Sequence, residues 1–136
     1  MIIKIKHILY LVIPTIILHF IFNFYNLYDV ARFDLILHIL AGIVYGLIAI
    51  FSFQNKNYNK KTFLILIILF SLFGSILWEI TELGFLTYFK EYALLLDIYS
   101  PTLLESFTDI LAGLIGGVIV GFIFYFKAHK SLGTNF

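Results

Sequence analysis

The stretch that decides the fold is FDLILHILAGIVYGLIAIFSF, residues 33–53, in which Asp34 is the single Asp, Glu, Lys or Arg. A helix needs about 20 predominantly apolar residues to cross a bilayer, so this stretch predicts a transmembrane helix. Three further apolar runs lie at about residues 7–25, 63–88 and 104–126. None alternates with the period of two that is typical of a membrane barrel. We therefore predict an all-α protein, an integral membrane four-helix bundle, with residues 1–136 forming one transmembrane domain.

The composition is that of a membrane protein. Of the 136 residues, 62% are hydrophobic and 12% are charged, whereas soluble domains are about 25% charged. The net charge of +1 gives no indication of a nucleic-acid partner, so none is expected. The lack of cysteine excludes disulfides, thiolate metal ligands and a cysteine nucleophile. Lys4 and Lys6 before the first run are typical of a secretory signal, but no small-residue cleavage site follows, which favours a retained first helix.

The lysines fall in the segments that would lie on one side of the membrane. Lysines precede the first span, join the second to the third, and follow the fourth: Lys4, Lys6, Lys56, Lys60, Lys61, Lys127 and Lys130. The other two connections hold only Arg32 and Lys90. The positive-inside rule therefore predicts a multi-pass protein of the cell (plasma) membrane with both termini in the cytoplasm.

With this topology, the polar residues of all four spans lie near the outer face. They are Asp34 and His38 in the second span, Glu79 and Glu82 in the third, Asp109 in the fourth and His19 in the first. At 1.5 Å per residue, all would lie within roughly 10 Å of the outer interface. Ionisable groups inside a bilayer are costly and are usually paired or functional. Since no span holds Lys or Arg at this depth, the positive charge must come from a bound metal, bound protons or a cationic ligand.

Carboxylates and imidazoles are the ligands that Zn²⁺, Mn²⁺ or Mg²⁺ would use. We predict His38, Glu79 and Asp109 as ligands of one divalent metal ion, and Glu82 or Asp34 as a catalytic general base. Further pocket residues are expected around them: His19, Trp78, Asn23 and Glu105. For several of these a structural role competes, because a backbone carbonyl can satisfy His19, packing can account for Trp78, and Glu105 can cap the fourth helix.

Small residues repeat every four positions on two spans. Gly42 and Gly46 form one stripe, and Gly113, Gly117 and Gly121 form the other. Such stripes usually serve helix packing, because they let membrane helices approach closely. We therefore predict backbone-level contact between the second and fourth spans. That contact would bring His38 and Asp109 together just beyond it.

Three short motifs follow one another along the chain. They are Asp34-x-x-x-His38, Trp78-Glu79-x-x-Glu82 and Asp109-x-x-x-Gly113-x-x-Gly116-Gly117. Together they resemble the VanZ-like and YjdF-like group of small bacterial and archaeal membrane proteins, from about residue 29 to 125. VanZ-like proteins commonly have Lys and Asn where this chain has Leu35 and Gly113, so the YjdF-like branch is the closer match. The resemblance implies a compact helical bundle and a link to the cell envelope, including glycopeptide resistance for some VanZ-like members.

Three functions remain open at this point. The first is a metal-dependent enzyme that hydrolyses or transfers a lipid or polyprenyl-phosphate head group. The second is a proton- or cation-coupled small carrier or binding protein, whose small size would favour a homodimer. The third is a structural membrane subunit in which the polar cluster sets helix register. All three place the chain among membrane lipids.

Overall fold

The computed structural model describes residues 3–25, 33–95 and 102–132. The helices in these ranges are α1 (Ile5–Phe24), α2 (Phe33–Phe53), α3 (Lys60–Tyr88), α4 (Lys90–Leu95) and α5 (Leu103–Leu132). In the described residues, four helices are long and apolar enough to cross a membrane: Ile5–Phe22, Phe33–Phe53, Lys60–Tyr88 and Leu103–Phe126. The prediction of an all-α membrane protein with four long apolar helices is confirmed.

Helices α3 and α5 begin before their apolar runs, at points where polar residues cap them. The Oδ1 atom of Asn59 accepts a hydrogen bond from Thr62 N at 2.8 Å, so α3 starts at Lys60 rather than at residue 63. At the start of α5, Thr102 N donates to Glu105 Oε2 at 2.6 Å and Glu105 N donates to Thr102 Oγ1 at 3.2 Å. This is a capping box, which satisfies N–H groups that no helical carbonyl can reach.

Helix α2 lies at the centre and packs against α1, α3 and α5, and α3 also packs against α5. We call the end of the bundle that holds Asp34 and Asp109 the acidic end, and the end that holds the connection 54–59 the basic end. An apolar cluster that includes Ile50, Ile67 and Val120 fills the bundle toward the basic end. Because lipid tails are as apolar as these side chains, association of the helices depends on close packing and hydrogen bonds more than on exclusion of water.

Candidate metal and proton site at the acidic end

The site is positioned by a zone of small residues in the middle of the bundle. A Cβ atom on Gly42 of α2 would overlap the backbone of Gly113 of α5, and a Cβ atom on Gly116 would overlap the carbonyl oxygen of Ile39. The two backbones are therefore in direct contact, as close helix pairs in membranes require. Ser71 Oγ of α3 donates to the carbonyl oxygen of Gly42 at 3.2 Å and joins the third helix to this contact.

The predicted glycine stripes face more than one neighbour. A Cβ atom on Gly117 would overlap Ser71 of α3, whereas one on Gly46 would approach Val120 of α5 at 3.0 Å. Gly121 is buried near Leu64 of α3. Besides Gly113, Gly116 of α5 also contacts the backbone of α2, although the predicted four-residue stripe did not include it. Its spacing of three from Gly113 was the signal available in the sequence.

One helical turn beyond the glycine contact, His38 and Asp109 come together. Asp109 Oδ2 lies 3.9 Å from Nε2 of His38, and both residues are buried. Asp34, one turn further along α2, places Oδ1 3.5 Å from the same nitrogen. Its side chain is 48% exposed, so this carboxylate lies at the rim of the cluster.

Helix α3 brings Glu79 to the other side of the imidazole ring. Glu79 lies one turn beyond Ser75, and its Oε1 atom lies 3.9 Å from Nδ1 of His38. Glu79 is only 8% exposed. Its Oε1 atom is buried and has no hydrogen-bond partner among the described residues. A buried carboxylate oxygen without a partner is costly, and such a group in a native structure needs an explanation such as a bound ion or proton.

The imidazole thus has a different environment at each nitrogen. Nε2 faces two carboxylates, and Nδ1 faces a third. These separations of 3.5 to 3.9 Å are longer than the hydrogen-bond range of about 2.7–3.2 Å. In the part of the chain that the structure describes, the ion-pair partner of each of these carboxylates is His38, so acidic groups outnumber basic ones in the cluster.

A group of three residues has the geometry of a metal site. One ligand atom from each of Asp34, His38 and Asp109 lies within 4.8 Å of the others. Metal–ligand bonds of about 2.2 Å would allow at most about 4.4 Å between two ligand atoms. Small side-chain rotations would therefore close the group around one ion. Glu79, which the sequence also predicted as a ligand, lies against the opposite nitrogen of His38.

Two of the other predicted site residues lie near this cluster. Glu82 is partly buried and close enough to the cluster carboxylates and His38 to interact with them electrostatically. His19 of α1 is exposed, interacts electrostatically with Asp34 and contacts Phe20 edge-on at 5.8 Å between ring centroids.

Two of the predicted pocket residues have other surroundings. Trp78 is 49% exposed, as expected for a ring that faces lipid. Glu105 is exposed, and its carboxylate is engaged in the capping box of α5. The side chain of Asn23 lies outside the described residues.

The fold and the cluster define a class: a multi-pass membrane protein of four long apolar helices with an Asp/His/Asp group at one end of the bundle, in which His38 and Asp109 are buried. The chain belongs to the predicted membrane protein family DUF2238, whose model matches residues 2–130. No curated protein and no solved structure shows significant similarity to it.

Proposed function

We propose that this protein binds one divalent metal ion at the acidic end and uses it to hydrolyse or transfer a phosphate-bearing lipid or polyprenyl head group. The observation that carries the proposal is the convergence of Asp34, His38 and Asp109 within 4.8 Å. Three protein ligands leave coordination positions open for water and substrate, as in catalytic metal sites. Nitrogen and oxygen ligands suit Zn²⁺ and Mn²⁺, and the carboxylates suit Mg²⁺.

Glu79 supports the proposal from the far side of the ring. If His38 held the metal through Nε2, the nitrogen that faces Asp34 and Asp109, its Nδ1 would carry the proton and would face Glu79 Oε1. A carboxylate that accepts this proton orients the imidazole and strengthens it as a ligand. A side-chain rotation that shortened this 3.9 Å separation would give the buried Oε1 atom the hydrogen-bond partner that it lacks. The proposal therefore assigns Asp34 to the ligands and Glu79 to the group that orients His38.

Glu82 is the general base in this scheme. A metal held by Asp34, His38 and Asp109 would act as a Lewis acid and would neutralise the charge that develops on the phosphate during attack. The oxygen of an attacking water molecule forms a bond to phosphorus, Glu82 accepts the proton of that water, and the phosphorus–oxygen bond to the leaving alcohol breaks. The partial burial of Glu82 beside the cluster supports this role. The proton then passes to the leaving alkoxide, which departs as the alcohol.

The lysine distribution supports a location at the outer leaflet. Lys56, Lys60 and Lys61 lie at the basic end, which the positive-inside rule assigns to the cytoplasm of a plasma-membrane protein. The cluster would then lie at the depth of the lipid head groups of the outer leaflet, and membrane lipids would be its partners. The resemblance to VanZ-like and YjdF-like proteins supports a role in the cell envelope.

A second candidate is a proton- or cation-coupled carrier, which a homodimer would suit. The buried Oε1 atom of Glu79 favours it, because a protonated carboxyl group is the alternative way to keep this oxygen without a counter-ion. A structural subunit is the third candidate. The two differ from the enzyme in needing no stoichiometric metal.

The test is the metal content of purified protein, stripped with a chelator and then loaded with Zn²⁺, Mn²⁺ or Mg²⁺ alone. We expect about one ion per chain in the parent protein. Asp34→Asn, His38→Ala and Asp109→Asn should lose it. Glu91→Gln is the matched control, because Glu91 is an exposed carboxylate of α4 outside the cluster. No retained metal in the folded parent protein would overturn the metal-dependent function.

Activity is measured as the phosphate that the protein releases from polyprenyl monophosphate in detergent micelles, with and without the retained metal. Metal-dependent release that Glu82→Gln abolishes without loss of metal supports the enzyme. Proton flux into proteoliposomes that needs no metal and is lost in Glu79→Gln would instead establish the carrier.

A further inference from the structure

The basic end of the bundle holds a cavity of about 160 Å³, far from the acidic cluster. Its polar rim comes from Gln54, Lys56, Tyr58 and Lys60, in and after the connection between α2 and α3. Its apolar floor comes from α3 and α5, and includes Phe63, Leu64, Ile67 and Phe124. The cavity therefore joins a positively charged opening to a hydrocarbon-lined interior.

The charged residues that line the cavity at the basic end are all positive. All eight Asp and Glu residues of the chain fall within 29–34 and 79–109, away from the cavity rim in the sequence. Neither Lys56 nor Lys60 forms an ion pair with any residue in the described ranges. Helix α3 begins at Lys60, so the positive end of its dipole adds to the two ammonium groups. This rim is suited to a phosphate.

The wall and the floor are held by specific contacts. The side chain of Gln54 accepts from Ile3 N at 2.8 Å and donates to Ile3 O at 2.9 Å, which ties the N-terminal segment to the connection after α2. On the floor, Gly121 of α5 packs closely on α3, because a Cβ atom there would lie 2.7 Å from Cδ1 of Leu64. A larger residue at this position would therefore push against the floor of the cavity.

We propose that this cavity binds an anionic phospholipid, with the phosphate at Lys56 and Lys60 and the start of an acyl chain against Gly121 and Phe124. Soluble phosphate would use the rim alone, whereas a lipid uses the rim and the floor. The cavity also lies where two spans end, which is the depth of lipid head groups. Tyr58 and Tyr125 line it with phenol groups that suit this interface.

The experiment measures lipid binding to delipidated protein by native mass spectrometry, with phosphatidylglycerol and phosphatidylcholine as probes. We expect a preference for phosphatidylglycerol. The double variant Lys56→Gln/Lys60→Gln should weaken its binding by roughly tenfold, since each lysine contributes substantially near an anionic surface. Lys61→Gln is the matched control, because Lys61 is exposed, adjacent and absent from the cavity lining.

A second variant probes the floor. Gly121→Val fills the interior and should weaken phosphatidylglycerol binding without any change in charge, while thermal unfolding shows whether the bundle is intact. If that variant does not fold, Phe124→Ala, which alters the floor by truncation, should also change lipid affinity.

Three results would overturn the proposal. The first is an equal loss in Lys61→Gln, which would show attraction by charge alone. The second is binding of inorganic phosphate as tight as that of phosphatidylglycerol, which would show a soluble ligand. The third is unchanged lipid affinity in both floor variants.

Discussion

Nδ1 of His38 on α2 lies 3.9 Å from Oε1 of Glu79 on α3, while Nε2 of the same ring faces Asp34 and Asp109. One imidazole therefore connects carboxylates from three helices. In the proposed metal site, the orientation of this ring decides which carboxylates would share the ion with His38 and which would only orient His38.

The role of Glu79 gives the first prediction. Glu79→Ala should weaken metal binding by about 10- to 100-fold, the usual effect of removing a carboxylate that orients a ligand histidine. Glu79→Gln should weaken it less, because its amide oxygen still accepts a hydrogen bond. Isothermal titration with Zn²⁺ measures both variants. Complete loss in Glu79→Gln, with affinity retained in Asp34→Asn, would instead make Glu79 the ligand and exclude Asp34.

The metal should also stabilise the fold. At a free metal concentration of 100 times Kd, binding contributes about 2.7 kcal/mol to the free energy of unfolding. This increment should vanish in Asp109→Asn and persist in Glu91→Gln. It should also shrink as pH falls from about 8 to about 5, because protons compete with the metal for His38 and the carboxylates. Thermal unfolding in detergent, with metal and with chelator, measures it; an equal increment in Asp109→Asn would contradict the assignment.

The glycine contact predicts a large effect of one methyl group. Gly42→Ala places Cβ against the backbone of Gly113, which cannot move aside as a flexible side chain can. We expect a loss of about 1–3 kcal/mol in the free energy of unfolding. Gly84→Ala on α3 is the control, because among the described residues the added Cβ would meet no atom within 4 Å beyond its chain neighbours and the backbone of its own helical turn. It should be neutral or stabilising by up to about 1 kcal/mol. Equal unfolding curves for the two variants would contradict this contact.

Variants of the capping box at the start of α5 test whether Glu105 has a structural role or a role in the site. Thr102→Ala should cost about 0.5–2 kcal/mol of stability. Glu105→Gln should cost less and leave the metal content unchanged, since its carboxylate is engaged at the helix end. Loss of metal in Glu105→Gln, without unfolding, would return this residue to the site.

The orientation can be tested directly because the chain has no cysteine. Lys61→Cys and Glu91→Cys each introduce a single thiol at an exposed position, the first near the start of α3 and the second in α4. We expect a membrane-impermeant maleimide to label Glu91→Cys in intact cells and Lys61→Cys only after lysis. The reverse pattern would move the acidic end to the cytoplasmic leaflet.

The sequence alone determined the four long apolar helices and the gathering of acidic residues toward one end. Both follow from hydropathy along the chain, since length and rise per residue set the depth of every side chain. The start of α3 could be predicted less closely. The cap at Asn59 lets α3 begin in the polar residues Lys60 and Lys61, which hydropathy assigns to a loop.

Only the tertiary structure decided how the helices are rotated about their axes. A residue's depth is set by its position in the sequence, but its neighbours depend on rotation, which the packing of Gly42 on Gly113 and of Ser71 on Gly117 determines. For this reason the sequence could predict that His38 lies at the depth of the carboxylates, but it could not show which carboxylate each imidazole nitrogen faces. Helices α2 and α5 place Asp34 and Asp109 on the Nε2 side of the His38 ring, and α3 places Glu79 on the opposite side.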